Sequence, residues 1–201
     1  MKYSPAIWFG GASLVASGVL AATIPQWAWT PLVPFVLISL AAPFFPTWRY
    51  FLPVRAHGPR NSRQVTLTFD DGPDPTTTPL LLDLLDLHGV KACFFVIGEK
   101  VTAHPHLVQS VVARGHEVGN HSNTHDPILM VRSKERLALE IDDCQRALSA
   151  LGICPHYFRP PVGIVNPRLG PILAKRNMTC LNFSLRPWDG GNQRLTNLAK
   201  R

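Results

Sequence analysis

Residues 65 to 73 read Val-Thr-Leu-Thr-Phe-Asp-Asp-Gly-Pro, and the reading of this stretch decides the fold. Val65, Leu67 and Phe69 alternate with Thr66 and Thr68, a period of two rich in β-branched residues, which predicts a short strand ending at Asp70 and Asp71. Gly72 and Pro73 impose a sharp turn directly after the two carboxylates. Like charges held side by side are unfavourable unless a cation or hydrogen bonds compensate, so the pair is a candidate site. Taken alone, it reads equally well as a solvated turn.

Downstream, strand and helix patterns alternate. Thr76, Thr77 and Thr78 offer caps for a helix through Leu80, Leu81, Leu84, Leu85 and Leu87, which Gly89 stops. Residues 91 to 97 read as a buried strand, and residues 105 to 114 as a helix opened by Pro105 and closed near Gly115. Residues 117 to 120 form a short strand. The clearest helix runs over 133 to 151, where Leu137, Ile141, Cys144, Leu148 and Leu151 recur at spacings of three and four. Tyr157 and Phe158 mark another strand, 167 to 177 a helix, and 179 to 185 a last strand. This order predicts a parallel α/β arrangement, either barrel or open sheet, with its chemistry at the C-terminal ends of the strands.

Upstream of Arg49 the chain is a different material. From Tyr3 to Trp48 there is no Asp, Glu, Lys, Arg or His, and every charged residue except Lys2 lies at position 49 or later. Residues 5 to 24 supply the roughly 20 apolar residues a helix needs to cross a bilayer core of about 30 Å. Residues 32 to 48 are comparably apolar but hold Pro34, Pro43 and Pro46, so a second span would be kinked or re-entrant. A cleaved signal peptide competes with this reading, since Lys2 precedes the apolar run and Ala21 and Ala22 follow it; the continued apolar stretch favours retention in the membrane.

The organisation expected is an anchor over 1–48, a basic juxtamembrane linker over 49–63 and a catalytic domain over 64–201. The net charge of +7 gathers partly at the boundary, in Arg49, Arg55, Arg60 and Arg63, as a membrane edge requires. No zinc-finger spacing or nucleic-acid module accompanies it, and nucleic acid is not an expected partner. If both apolar segments cross, Lys2 and these arginines share a side and the positive-inside rule puts the catalytic part in the cytoplasm; with one crossing it faces outward. Cys93, Cys144, Cys154 and Cys180 make no Cys-x-x-Cys and read as buried small hydrophobes.

Two further motifs carry chemistry. His121-Ser122-Asn123-Thr124-His125 puts two imidazoles four residues apart, and with a carboxylate they make a familiar zinc set that leaves room for water. Phe158-Arg159-Pro160-Pro161-Val162-Gly163 is a stiff loop from which an arginine can pair with a carboxylate in a fixed direction. In isolation, the first is a chance pair of surface histidines and the second a rigid connector.

Their order changes the odds. The aspartate pair, the His-x-x-x-His and the Arg-Pro-Pro loop together resemble the NodB-homology domain of carbohydrate esterase family four, across about residues 65 to 189. The resemblance implies a distorted (β/α) barrel of the NodB type, here incomplete at its C-terminal end and preceded by one or two transmembrane helices. It implies a hydrolase that removes acetyl groups from N-acetylated sugars of a polysaccharide, oligosaccharide or glycolipid at a membrane. Asp71, His121 and His125 would hold a divalent metal, with zinc expected. Asp70 would be the general base, oriented by Arg159, and the backbone N–H of Val162 would help stabilise the oxyanion.

Residues 183 to 189 look like an imperfect fourth motif, with Arg186 where the family commonly has an acid; Asp189 is left as a supporting or an ordinary turn carboxylate. The family's general acid, a histidine in a Leu-x-His motif after a further helix, does not occur before Arg201, where 195 to 200 begins what could be that helix. Low stability and partial activity are therefore expected. The alternatives are a catalytically impaired glycan-binding module and a zinc-dependent hydrolase of another N-acyl substrate.

Overall fold

The computed structural model describes residues 4–59, 61 and 64–185. The chain begins with α1 (Pro5–Thr23), reverses through a 3₁₀ turn at Pro25–Trp27, and returns in α2 (Leu32–Ala41), which tightens into a 3₁₀ turn at Ala42–Phe44. Pro34 falls in the first turn of α2, where a helix needs no N–H, so this proline does not break it. Pro43 sits in the closing 3₁₀ turn. The two segments touch where Gly10 faces Phe35: a β-carbon there would lie 3.0 Å from the phenyl ring. Pro5–Thr23 and Pro25–Phe44 are each long and apolar enough to cross a membrane.

A parallel six-stranded sheet follows, in the order β1-β6-β5-β4-β3-β2. Its strands are β1 (Val54–Arg55), β2 (Leu67–Gly72), β3 (Ala92–Val96), β4 (Glu117–Asn120), β5 (Tyr157–Phe158) and β6 (Thr179–Leu181). The strands from β2 onward fall at the places the alternation predicts, and Glu117–Asn120 at the bounds expected. The last strand is shorter than expected, ending at Leu181. β1 and β2 are the two edges and do not pair with each other among the described residues, so the α/β class is seen but not closure into a barrel.

β1 changes the expected boundary. Residues 49–63 read as a linker, yet Val54 and Arg55 pair in parallel with Cys180 and Leu181, and Leu52 and Val54 are buried in the core. Two residues among prolines and arginines give too short a period to recognise.

The helices pack onto this sheet: α3 (Thr77–Leu87), α4 (Gly98–Ala103), α5 (Pro105–Ala113), α6 (Lys134–Ser149) and α7 (Leu169–Ala174). The threonines do not cap α3. The Asp74 carboxylate does, accepting from the N–H groups of Thr76 and Thr77 at 2.9 and 2.7 Å. Ser133 caps α6 as its position suggests, accepting from Arg136 N at 3.1 Å.

α6 matters most for the site because it joins the two halves of the core. Leu137 and Ile141 pack with Phe158, Leu169 and Leu129, whereas Cys144 and Leu148 pack with Phe94, Val96 and Val111. Cys93, Cys144 and Cys180 are buried as expected; Cys154 is exposed, because it lies in the connection after the Gly152 turn and not on an element.

Candidate active site

Because β2, β4 and β5 run parallel, the residues at their C-terminal ends share one edge of the sheet. Asp70 and Asp71 close β2, His121 follows β4, and Arg159 follows β5. The three motifs, far apart in sequence, meet there.

Their backbones are not ordinary. Asp71, Ser122, His125 and Val162 all adopt positive φ, at 66°, 66°, 56° and 53°. Such conformations cost a non-glycine residue about 1–3 kcal/mol each and persist where the surroundings over-determine them, typically at functional sites. Here the restraints are visible. Lys100 Nζ donates to the main-chain oxygen of Asp71 at 2.7 Å. Ser122 N donates to Asn120 Oδ1 at 2.9 Å, and His125 N to Ser122 Oγ at 3.1 Å.

Held this way, the ring nitrogens Nε2 of His121 and His125 lie 3.4 and 3.1 Å from Asp71 Oδ1. One donor atom from each residue falls within 4.8 Å of the others. Zinc bonds of about 2.0–2.2 Å in a tetrahedron put neighbouring ligand atoms about 3.3 Å apart, so the set fits such an ion. The tautomer fits too. His121 Nδ1 lies 2.8 Å from the Arg159 carbonyl oxygen, which can only accept, so the hydrogen sits on Nδ1 and Nε2 presents its lone pair to Asp71 and His125. The His121 imidazole beside it holds the Asp71 carboxyl below its usual range against the opposing effect of burial, and burial lowers His125. Both shifts favour the forms that can bind a cation.

Arg159 is the hub of the site. It is 2 % exposed, and its guanidinium lies 4.1 Å over the Phe95 ring. Nη1 donates to Asp70 Oδ1 at 2.6 Å and to Thr68 Oγ1 at 2.9 Å, while Nε donates to the Leu181 carbonyl at 3.1 Å. A planar fork fixed on several sides gives its carboxylate partner one orientation. Asp70 is thereby held in one orientation on the wall of a cavity that Asp71, His121 and His125 also line.

Val162 lies with these residues on the wall of a cavity of about 2270 Å³, in the Pro161–Gly163 turn. The loop is fastened by Asn182, whose Nδ2 donates to the Gly163 carbonyl at 3.0 Å and to the Pro46 carbonyl at 3.1 Å, joining it to the end of the apolar hairpin. Arg186, Asp189 and the segment from 195 onward lie outside the described residues.

Sequence reasoning passed over Thr68, Lys100, Asn120, Glu140 and Asn182, which act through hydrogen bonds that no short motif records. Glu140 alone leaves a signal. It sits on the apolar stripe of α6, between Leu137 and Cys144 and beside Ile141, where a charge is out of place unless it is paired.

Comparison with known proteins agrees with this geometry. A family described as polysaccharide deacetylase matches residues 57–181. A peptidoglycan-N-acetylglucosamine deacetylase of Bacillus cereus is 43 % identical over 108 residues, covering 54 % of this chain and 50 % of that protein. A chitooligosaccharide deacetylase of a Bradyrhizobium species is 38 % identical over 130 residues, covering 64 % and 59 %. The crystal structure of the Bc1960 peptidoglycan N-acetylglucosamine deacetylase superimposes with a TM-score of 0.61 at 33 % identity, covering 64 % of this chain and 60 % of that one. The chain belongs to the polysaccharide deacetylase family, the NodB-homology group of carbohydrate esterase family four. It spans 50 to 59 % of the length of the two curated relatives named here.

Proposed function

We propose that the chain hydrolyses the acetamide of N-acetylated sugars in a glycan, releasing acetate. The observation that carries this reading is the convergence of the Asp71, His121 and His125 donor atoms beside Asp70, with Arg159 hydrogen-bonded through its side chain to the proposed base and through its carbonyl to one proposed ligand. The named activities of the relatives support the acetyl amide as the bond cleaved.

A divalent cation on Asp71, His121 and His125, zinc by its preference for imidazole and carboxylate, would polarise the acetyl carbonyl and ease ionisation of water. Arg159 engages Asp70 Oδ1, which leaves the second oxygen of that carboxylate to take the proton of the attacking water. The carbonyl carbon becomes tetrahedral, and the backbone N–H of Val162, on the cavity wall, is the proposed donor to its oxyanion. On collapse the C–N bond breaks. Asp70 then returns its proton to the amine, which leaves as the free amino sugar while the acetyl group departs as acetate.

We further propose that the apolar hairpin of residues 1–48 anchors the catalytic part at a membrane, through two spans that stay with the protein. The bonds from Asn182 to Pro46 and Gly163 support an active-site loop close to that surface.

The test is acetate release from N-acetylglucosamine oligomers and peptidoglycan fragments by the detergent-solubilised chain, before and after chelation. Release abolished by the chelator and restored by zinc supports the proposal. Release indifferent to chelation would refute the metal role, and zinc binding with no release from any substrate would favour a glycan-binding module.

A further inference from the structure

The loop between the two proposed histidine ligands is held from both sides. On one side, the first N–H groups of α4 donate into it, Gly98 N to the Ser122 carbonyl at 3.0 Å and Glu99 N to the Asn123 carbonyl at 3.1 Å. On the other stands Glu140 of α6, 1 % exposed and facing the loop with its whole carboxylate. Its Oε2 accepts from Asn123 N at 3.0 Å and Thr124 N at 2.8 Å; its Oε1 accepts from Thr124 Oγ1 at 3.0 Å and Arg136 Nη2 at 2.6 Å. An ionised carboxylate has about four acceptor sites. The four donors here match that capacity, and three come from the loop.

We infer that Glu140 is a positioning residue for the His121 and His125 pair: by fixing Asn123 and Thr124, it sets the separation of the two imidazoles and thereby the affinity of the metal site. The inference rests on the metal-site reading above and deepens it. Glu140 has the geometry for this role because α6 is rigid where the loop is strained. Leu137 and Ile141 lock the helix into one half of the core, and Cys144 and Leu148 lock it into the other. Asn120, just before His121, is tied to the same helix, its Nδ2 donating to the Ile141 carbonyl at 2.9 Å. One helix thus fixes the loop near both of its ends. A glutamine at position 140 keeps the shape but has no charge and one acceptor oxygen in place of two, so it cannot accept from all four donors and its hold on the loop weakens.

The experiment is zinc affinity of the full chain in detergent, measured by competition with a chromophoric chelator, for the parent and for Glu140→Gln, Glu140→Asp, Thr124→Val and Arg136→Ala. Outer-shell partners of metal ligands typically change affinity about 10–100-fold when replaced, and that loss is expected for Glu140→Gln, with Glu140→Asp between it and the parent. Thr124→Val removes one bond from the loop side, and a loss of about threefold or more is expected; it carries the test if Glu140→Gln does not fold. Arg136→Ala leaves the three loop bonds in place and should stay within about twofold of the parent. Unchanged affinity in both Glu140→Gln and Thr124→Val would overturn the inference, as would an equal loss in Arg136→Ala, which would point to a buried charge pair serving the fold alone. A parent chain that binds no zinc would instead overturn the metal-site reading, and this inference with it.

Discussion

Arg159 meets Asp70 at 2.6 Å, Nη1 to Oδ1, and Arg159 is also the residue whose carbonyl oxygen faces His121 Nδ1 at 2.8 Å. One residue therefore aligns the proposed base through its side chain and a proposed ligand through its main chain. Lysine keeps the charge and the carbonyl but not the fork that reaches Asp70, Thr68 and Leu181 at once. Arg159→Lys should lower kcat on the order of 100-fold, the scale of a misplaced reacting group, while zinc affinity moves less than about threefold. Steady-state kinetics beside a zinc titration check this; a parallel fall in affinity would mean that the side chain, and not only the carbonyl, supports the histidine.

Asp74 gives a prediction on stability. Its carboxylate caps α3, and the hydrogen bond from Thr77 N is the largest influence holding its pKa below the usual value. A depressed carboxylate stabilises the fold above its unfolded pKa, near 3.9, and that contribution is lost as pH falls through the lower folded value. Asp74→Ala should destabilise by about 1 kcal/mol at neutral pH. The gap in Tm between parent and variant should close below about pH 4. A gap independent of pH would mean that the neutral acid caps equally well.

The same aspartate illustrates what sequence can and cannot convey. Strand β2 and the helix over 133 to 151 were legible because period-two and period-3.6 patterns persist over several residues there. The catalytic candidates were legible because their spacing repeats a family pattern. Asp74 was not, since three threonines nearer the helix looked like better caps and only the path of the chain decides which oxygen meets the free N–H groups. β1 was hidden by its length, and the short helix α4 began at Gly98, a residue that usually stops helices. Here Gly98 is needed for close approach: a β-carbon would lie 2.3 Å from Asn123 Oδ1 and 2.8 Å from the Cys144 backbone.

Thiol chemistry reports both burial and topology. Burial pushes Cys93, Cys144 and Cys180 up to about 12, so at pH 8 roughly one in 10⁴ of each is thiolate, whereas Cys154 is exposed. A maleimide should therefore add one label per folded chain, at Cys154, and labels at the other cysteines should appear only on denaturation. Two spans with Lys2 and the basic boundary on the cytoplasmic side would shield Cys154 from an impermeant maleimide in intact cells. Mass mapping of the labelled peptide checks both points, and labelling of Cys154 in unopened cells would show an outward-facing catalytic part.

The central claim is that Asp70 is the base beside a cation held by Asp71, His121 and His125. It is tested most directly by measuring acetate release from N-acetylglucosamine oligomers and bound zinc on the same preparations of the parent and Asp70→Asn. The expected result is zinc retained in both, with release in the variant lower by about 10²- to 10⁴-fold, the usual contribution of a general base. Release from Asp70→Asn at the parent rate, with zinc still bound, would contradict it.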